Sequence, residues 1–169
     1  RGNHQLVAPW FGSLFGKFNL SKYDIVISVT SYDAKSIVTS PDTLHICYCL
    51  TPNRYLWVNP GYDAYRGYGF LTPLVNVLKK YWFTNLRIKD QYYASFPDKY
   101  FTLSKIVRKR IMKYYKKNST IIYPGVDTGK FKLGQSINKG NYFLVVSRLT
   151  GYKHISGLIK VFNKLPYNL

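Results

Sequence analysis

The sequence contains no glutamate. Its seven acidic residues are all aspartates (Asp24, Asp33, Asp42, Asp63, Asp90, Asp98 and Asp127), set against 25 lysines and arginines for a formal charge of +18. Within this chain that excludes a glutamate base, a glutamate nucleophile and any paired-glutamate chemistry. Cysteine is almost as scarce. Cys47 and Cys49 lie two apart on an expected strand, too close for an ordinary disulfide, which fits a reducing compartment. Long apolar runs are missing too: none reaches the ~18 residues that a spanning helix needs. What the chain does have is hydrophobic and aromatic content, 46% and 18% of its 169 residues. That is enough for a core, and it excludes a disordered chain in spite of the charge. The length suits about one domain of ~100–200 residues. The chain opens at Arg1 without an initiator methionine and stops at Leu169 just after an expected helix, so both ends read as cut.

Strand and helix signals alternate along the chain. Residues 1–19 are aromatic and Gly-rich, a loop or short helix. Ser21–Val29 (SKYDIVISV) ends in a β-branched run expected to be a strand buried on both faces of a parallel sheet. A short helical crossover is expected over Ala34–Val38, then a second buried strand over Leu44–Leu50, ended by Thr51-Pro52. Residues 53–69, rich in Tyr, Gly, Asn and Pro, read as a long loop. Helices are expected over Leu71–Tyr81 and Asn85–Phe96, and a short strand over Asp98–Thr102. Ser104 is placed to cap a helix over Lys105–Lys117. Ser119–Tyr123 is a further strand, stopped by Pro124-Gly125, and the polar, Gly-punctuated stretch to Gly140 reads as a linker. Tyr142–Ser147 then restarts as a buried strand, Arg148–Lys153 as a loop and Ile155–Leu165 as a helix. This alternation predicts an α/β fold with parallel sheets.

Three groups of residues carry candidate chemistry. In Val146–Lys153 (VSRLTGYK) a strand ends, Arg148 and Lys153 project from the loop, and a helix begins. Open α/β sheets bind ligands beyond the carboxyl ends of their strands. Arg148 can fork two hydrogen bonds onto phosphate oxygens while Lys153 supplies a point charge, a pair suited to a departing diphosphate. The alternative is two solvated loop cations. His45, Cys47 and Cys49 share one strand face. Their ~7 Å spacing is too wide for joint zinc ligation at ~2.0–2.3 Å, so no metal is expected. Between Lys99 and Lys117 lie eight cations, and apolar positions 103, 106, 107, 111, 114 and 115 form a core stripe. The outward lysines then face an anionic membrane, face nucleic acid, or are merely solvated. No nucleic-acid-binding motif accompanies them, so nucleic acid is the least expected partner.

Taken together, Leu44–Trp57 (LHICYCLTPNRYLW), Asp98–Tyr115 (DKYFTLSKIVRKRIMKYY), Ser119–Phe131 (STIIYPGVDTGKF) and Tyr142–Lys153 (YFLVVSRLTGYK) resemble a family 4 glycosyltransferase of the GT-B fold. The nearest likeness is to the mannosyltransferase-like enzymes of bacterial surface polysaccharide synthesis. The resemblance covers most of residues 20–165. It implies two Rossmann-like domains facing across a cleft, and metal-free transfer of a sugar, with retention, from a GDP- or UDP-linked donor to a lipid-linked or glycan acceptor. It also implies a cytoplasmic protein, peripheral at the inner face of the plasma membrane. Residues 1–124 would be the later part of the acceptor domain, 125–140 the linker and 141–169 the start of the donor domain. The family's Gly-rich loop would precede Arg1, and its Glu-x7-Glu pair would follow Leu169. Arg148 and Lys153 would stabilise the leaving diphosphate. Thr51, Arg54 and Tyr55, which the strand-end rule places beyond the carboxyl end of Leu44–Leu50, would bind substrates together with Ser104 and Gly125. Arg54 is open to two readings, an anion-binding cation or a structural partner of a nearby aspartate. Two positions depart from the family: Leu50 stands where relatives carry histidine, and Val58 where they tend to carry aspartate. These favour either an altered acceptor or a non-catalytic basic module.

Overall fold

A run such as Ile-Val-Ile-Ser-Val-Thr is stiff at χ1 and suits a pleated strand. In the computed structural model, which describes residues 12–58, 72–132 and 142–168, that run is strand β1 (Ile25–Thr30). Three further strands follow: β2 (Leu44–Cys49), β3 (Lys99–Thr102) and β4 (Thr120–Ile121). They form one all-parallel sheet in the order β1-β2-β3-β4, with Ile25 opposite Leu44, Ile46 opposite Lys99 and Phe101 opposite Thr120. The sheet lies in the first of two compact units, Arg1–Gly125 and Val126–Leu169. The fold class is therefore α/β, as the alternation of signals predicts.

The strand order settles which face is covered. Parallel strands laid down in sequence, each joined by a right-handed crossover, put every connection on the same side. These connections are a 3₁₀ turn (Asp33–Ser36), helix α1 (Arg54–Trp57), helix α2 (Thr72–Tyr93) and helix α3 (Lys105–Tyr115). Under them lies a core of Cys47, Cys49, Ala94, Tyr100, Val107, Ile111 and Tyr115. On the opposite face β1 is open to solvent, with Ile25, Ile27 and Val29 55%, 63% and 60% exposed, while Leu44, Ile46 and Tyr48 of β2 are half-buried. This corrects the expectation that β1 is buried on both faces. Its β-branched run alternates between core and solvent because no described element crosses behind it.

Helices differ from expectation in two places. The two helices expected over 71–81 and 85–96 are a single 22-residue helix, α2. Nothing between Tyr81 and Asn85 is a Gly or Pro, so no residue there breaks the ladder, and the Thr84 hydroxyl is satisfied within the helix by the Lys80 carbonyl at 2.9 Å. α3 begins as expected at its Ser104 cap, whose hydroxyl accepts from the Val107 amide at 3.3 Å. It ends at Tyr115, where Lys116 turns into the left-handed region with φ 55°. Ile106, assigned above to the core stripe, is 65% exposed, because it lies ~100° around the helix from Val107. Part of the 53–69 loop folds as α1; residues 59–71 lie outside the described region. No helix among the described residues is long and apolar enough to cross a membrane.

The second unit carries less structure. Tyr142 forms a single parallel bridge with Asn168, a 3₁₀ turn spans Gly151–Lys153, and helix α4 spans Ile155–Phe162. The buried strand expected over Tyr142–Ser147 is not formed: Leu144 and Val146 are 76% and 89% exposed. An apolar run becomes a buried strand only between paired neighbours, and the bridge to Asn168 is the only pairing described in this unit.

Candidate functional site

Tyr32, Thr51, Arg54, Tyr55 and Ser104 all follow the carboxyl ends of β1, β2 and β3, and Tyr32 and Tyr55 are in contact there. What fixes the first two of these loops is a buried carboxylate. Asp90, 3% exposed on α2, pairs with Lys35, 1% exposed on the 3₁₀ turn, at 2.6 Å. Its other oxygen accepts from the Trp57 indole at 2.6 Å. The Lys35 ammonium also donates to the Tyr32 carbonyl at 2.7 Å and lies 5.4 Å from the centre of the Tyr115 ring. Trp57 stacks on Tyr114 at 4.9 Å, and Arg87 lies over its ring while donating to the Leu56 carbonyl at 2.8 Å. One aspartate thus holds the loops after β1 and β2 against α2 and α3. Burial, and then the neighbouring Asp90, push the Tyr115 hydroxyl well above its ordinary pKa, so it stays a neutral donor.

On this anchored base Tyr32 and Tyr55 approach with ring centres 6.2 Å apart and planes tilted by 34°. Burial, and then charge repulsion and a hydrogen bond with Tyr55, push the Tyr32 phenol up to about 12, with Arg54 acting in the opposite sense. Asp33 has a carboxyl raised above the usual range, chiefly by burial, with Lys35 opposing and Asp90 assisting.

The expected site residues divide by position. Thr51 follows β2 and is half-buried; its hydroxyl is buried and makes no hydrogen bond among the described residues. Arg54 and Tyr55 are exposed at the start of α1, and Arg54 makes no ion pair among the described residues. The Asp90 carboxylate is taken by Lys35. Ser104 is half-buried and its hydroxyl serves as the α3 cap. Gly125 is exposed, and a side chain added there would meet nothing within 4 Å.

Arg148 and Lys153 belong to the second unit, both exposed. The Lys153 amide closes the 3₁₀ turn onto the Thr150 carbonyl at 2.9 Å. An open apolar groove of about 390 Å³ runs between residues 142–149 and α4, lined by Tyr142, Leu144, Ser147, Leu149, Ile155 and Ile159 among others. Ser147 and Leu149 line it and Arg148, between them, does not.

His45, Cys47 and Cys49 are buried on the covered face. Nε2 of His45 lies 2.9 Å from the Ser28 hydroxyl, and its backbone amide donates to Asp98 at 2.8 Å. Burial pushes the Cys47 and Cys49 thiols up to about 11 and about 12. Lys35, Asp90, Trp57 and Tyr32 escaped the sequence reading. Applying the strand-end rule to β1, as it was applied to β2, would have reached Tyr32. The available signal for Asp90 was a lone acid in a 22-residue helix, in a chain with seven acids in all. Comparison of the chain with protein-family models, curated proteins and solved structures gives no match.

Proposed function

We propose that this chain is part of a retaining glycosyltransferase of GT-B type. Residues 1–124 would serve the acceptor, 125–140 form a linker and 141–169 begin the nucleotide-sugar domain. The observation that carries this reading is the all-parallel sheet whose strand ends gather Thr51, Arg54, Tyr55 and Ser104 at one end, where α/β sheets take their ligands. It is supported by the order and spacing of the four family-like strings. The donor would be a GDP- or UDP-linked sugar, mannose by likeness, and the acceptor a lipid-linked or growing glycan. Arg148 and Lys153 would stabilise charge that builds on the diphosphate as the glycosyl bond breaks. Such cations contribute only to the extent that they hold the transition state more tightly than the bound donor.

In the intact protein, Arg148→Ala or Lys153→Ala is expected to lower kcat for transfer from GDP-mannose or a UDP-sugar by ~10²–10³. KM for the donor should change far less. Turnover equal to that of the unsubstituted enzyme would sink the assignment.

A second reading, a basic module on an anionic membrane, is favoured by α3. Its exposed side carries Lys105, Arg108, Lys109 and Lys113 beside exposed Ile106 and Met112, with no acidic residue in the helix. Leu50, 36% exposed where relatives carry histidine, points the same way.

A further inference from the structure

We infer that Tyr32, Arg54 and Tyr55 form a binding subsite for a pyranose ring that carries an anionic substituent. Calling that sugar the acceptor rests on the glycosyltransferase reading; the binding itself does not.

The first argument is that Tyr55 is not there for the fold. In α1 it is Leu56 that is buried and Trp57 that packs against the core, while Tyr55 is 51% exposed. Tyr32 is 45% exposed and also lies outside the core cluster. Two half-exposed rings from separate loops, meeting at 6.2 Å, form a continuous aromatic surface at the ligand-binding end of the sheet. The flat C–H face of a pyranose suits such a surface, and the phenol hydroxyls at its edge supply hydrogen bonds that an aliphatic patch lacks.

The second argument is rigidity. Tyrosine has only two side-chain torsions to freeze, and both loops are already fixed through the Lys35–Asp90 pair, Lys35 to the Tyr32 carbonyl and Trp57 to Asp90. Little ordering remains for a ligand to impose.

The third argument is charge. Arg54 opens α1 one position before Tyr55 and is exposed at the same strand end. A guanidinium forks onto two oxygens of a carboxylate or a phosphate, charge-assisted bonds roughly twice as strong as those it can donate to the hydroxyls of a neutral hexose. The shared chemistry is an anionic sugar, whether a uronate or a sugar phosphate.

The test titrates the full ¹⁵N-labelled chain, with no nucleotide-sugar present, against methyl glucuronide, mannose 6-phosphate, methyl mannoside and inorganic phosphate, following backbone amide shifts. Saturable shifts at residues 31–33 and 53–56 are expected with the anionic sugars, with methyl mannoside binding about tenfold more weakly. The tighter of glucuronide and mannose 6-phosphate identifies which anion the site takes. Arg54→Gln should bring the anionic sugar down to the neutral one, Tyr55→Ala should abolish both, and Tyr55→Phe should retain most of the affinity. Three outcomes overturn the inference: no saturable shift with any sugar, inorganic phosphate binding as tightly as the anionic sugars, or affinity unchanged in both Arg54→Gln and Tyr55→Ala. Sugar binding by this chain, with no transfer by the intact protein supplied with GDP-mannose or a UDP-sugar, would leave the subsite standing and remove the glycosyltransferase reading. Transfer that survives Tyr55→Ala with its acceptor KM unchanged would do the reverse.

Discussion

His45 illustrates how one side chain can make the whole sheet sensitive to acid. It is fully buried in β2, bonded to Ser28 through its ring and to Asp98 through its backbone amide. Burial lowers its pKa below the ordinary 6.5, and Asp98 opposes this more weakly. An unfolded chain takes up the proton as pH falls through about 6.5, while the folded chain resists it. The stabilisation is therefore complete above that pH and is lost as pH falls through the depressed folded value. Urea midpoints should drop between about pH 7.5 and about pH 5.5, and His45→Gln should flatten that drop even if it lowers stability at both. An equal drop in the variant would assign the slope to other groups. Asp33, whose pKa is raised, works in the opposite sense, its contribution being lost as pH rises through its folded value.

At the scale of elements, the Lys35–Asp90 pair is the joint between the 3₁₀ turn, α1, α2 and α3. Lys35→Met alone leaves a buried carboxylate without its cation and should cost about 3–5 kcal/mol in urea unfolding, whereas Lys35→Met with Asp90→Leu should cost less than the two single changes combined. Strict additivity would mean the pair does not act as a unit. This joint was invisible in the sequence because it links residues 55 positions apart, and local patterns carry no information about such contacts. What local patterns do encode was recoverable. β2 and β3 follow their apolar runs, α3 its Ser104 cap, and Thr51, Arg54 and Tyr55 their place after a strand. Misreadings arose where tertiary context overrides pattern. Ile25, Ile27 and Val29 have the composition of a doubly covered strand, but coverage depends on where the crossovers run. Residues 142–147 have a strand's composition and lack paired neighbours. Tyr32 and Tyr55 meet only because β1 and β2 are adjacent.

For the whole molecule the dominant quantity is the charge of +18. Long-range attraction of that kind is screened as the Debye length shrinks from about 10 Å at 0.1 M salt to about 3 Å at 1 M. If the basic side of α3 meets anionic lipid, the chain should co-sediment with phosphatidylserine-containing vesicles, not with phosphatidylcholine alone, and be released by salt over that range. Replacing Lys109 and Lys113 by glutamate should weaken retention without changing the helical circular dichroism. Absent or salt-insensitive binding would discard the membrane module. The strand order β1-β2-β3-β4 has a consequence of another kind. Each of the last three described strands pairs with the one synthesised just before it, so none of these four has to be inserted between two that are already joined. The sheet can therefore grow in a single direction as the chain leaves the ribosome, each new strand being added at the edge made most recently.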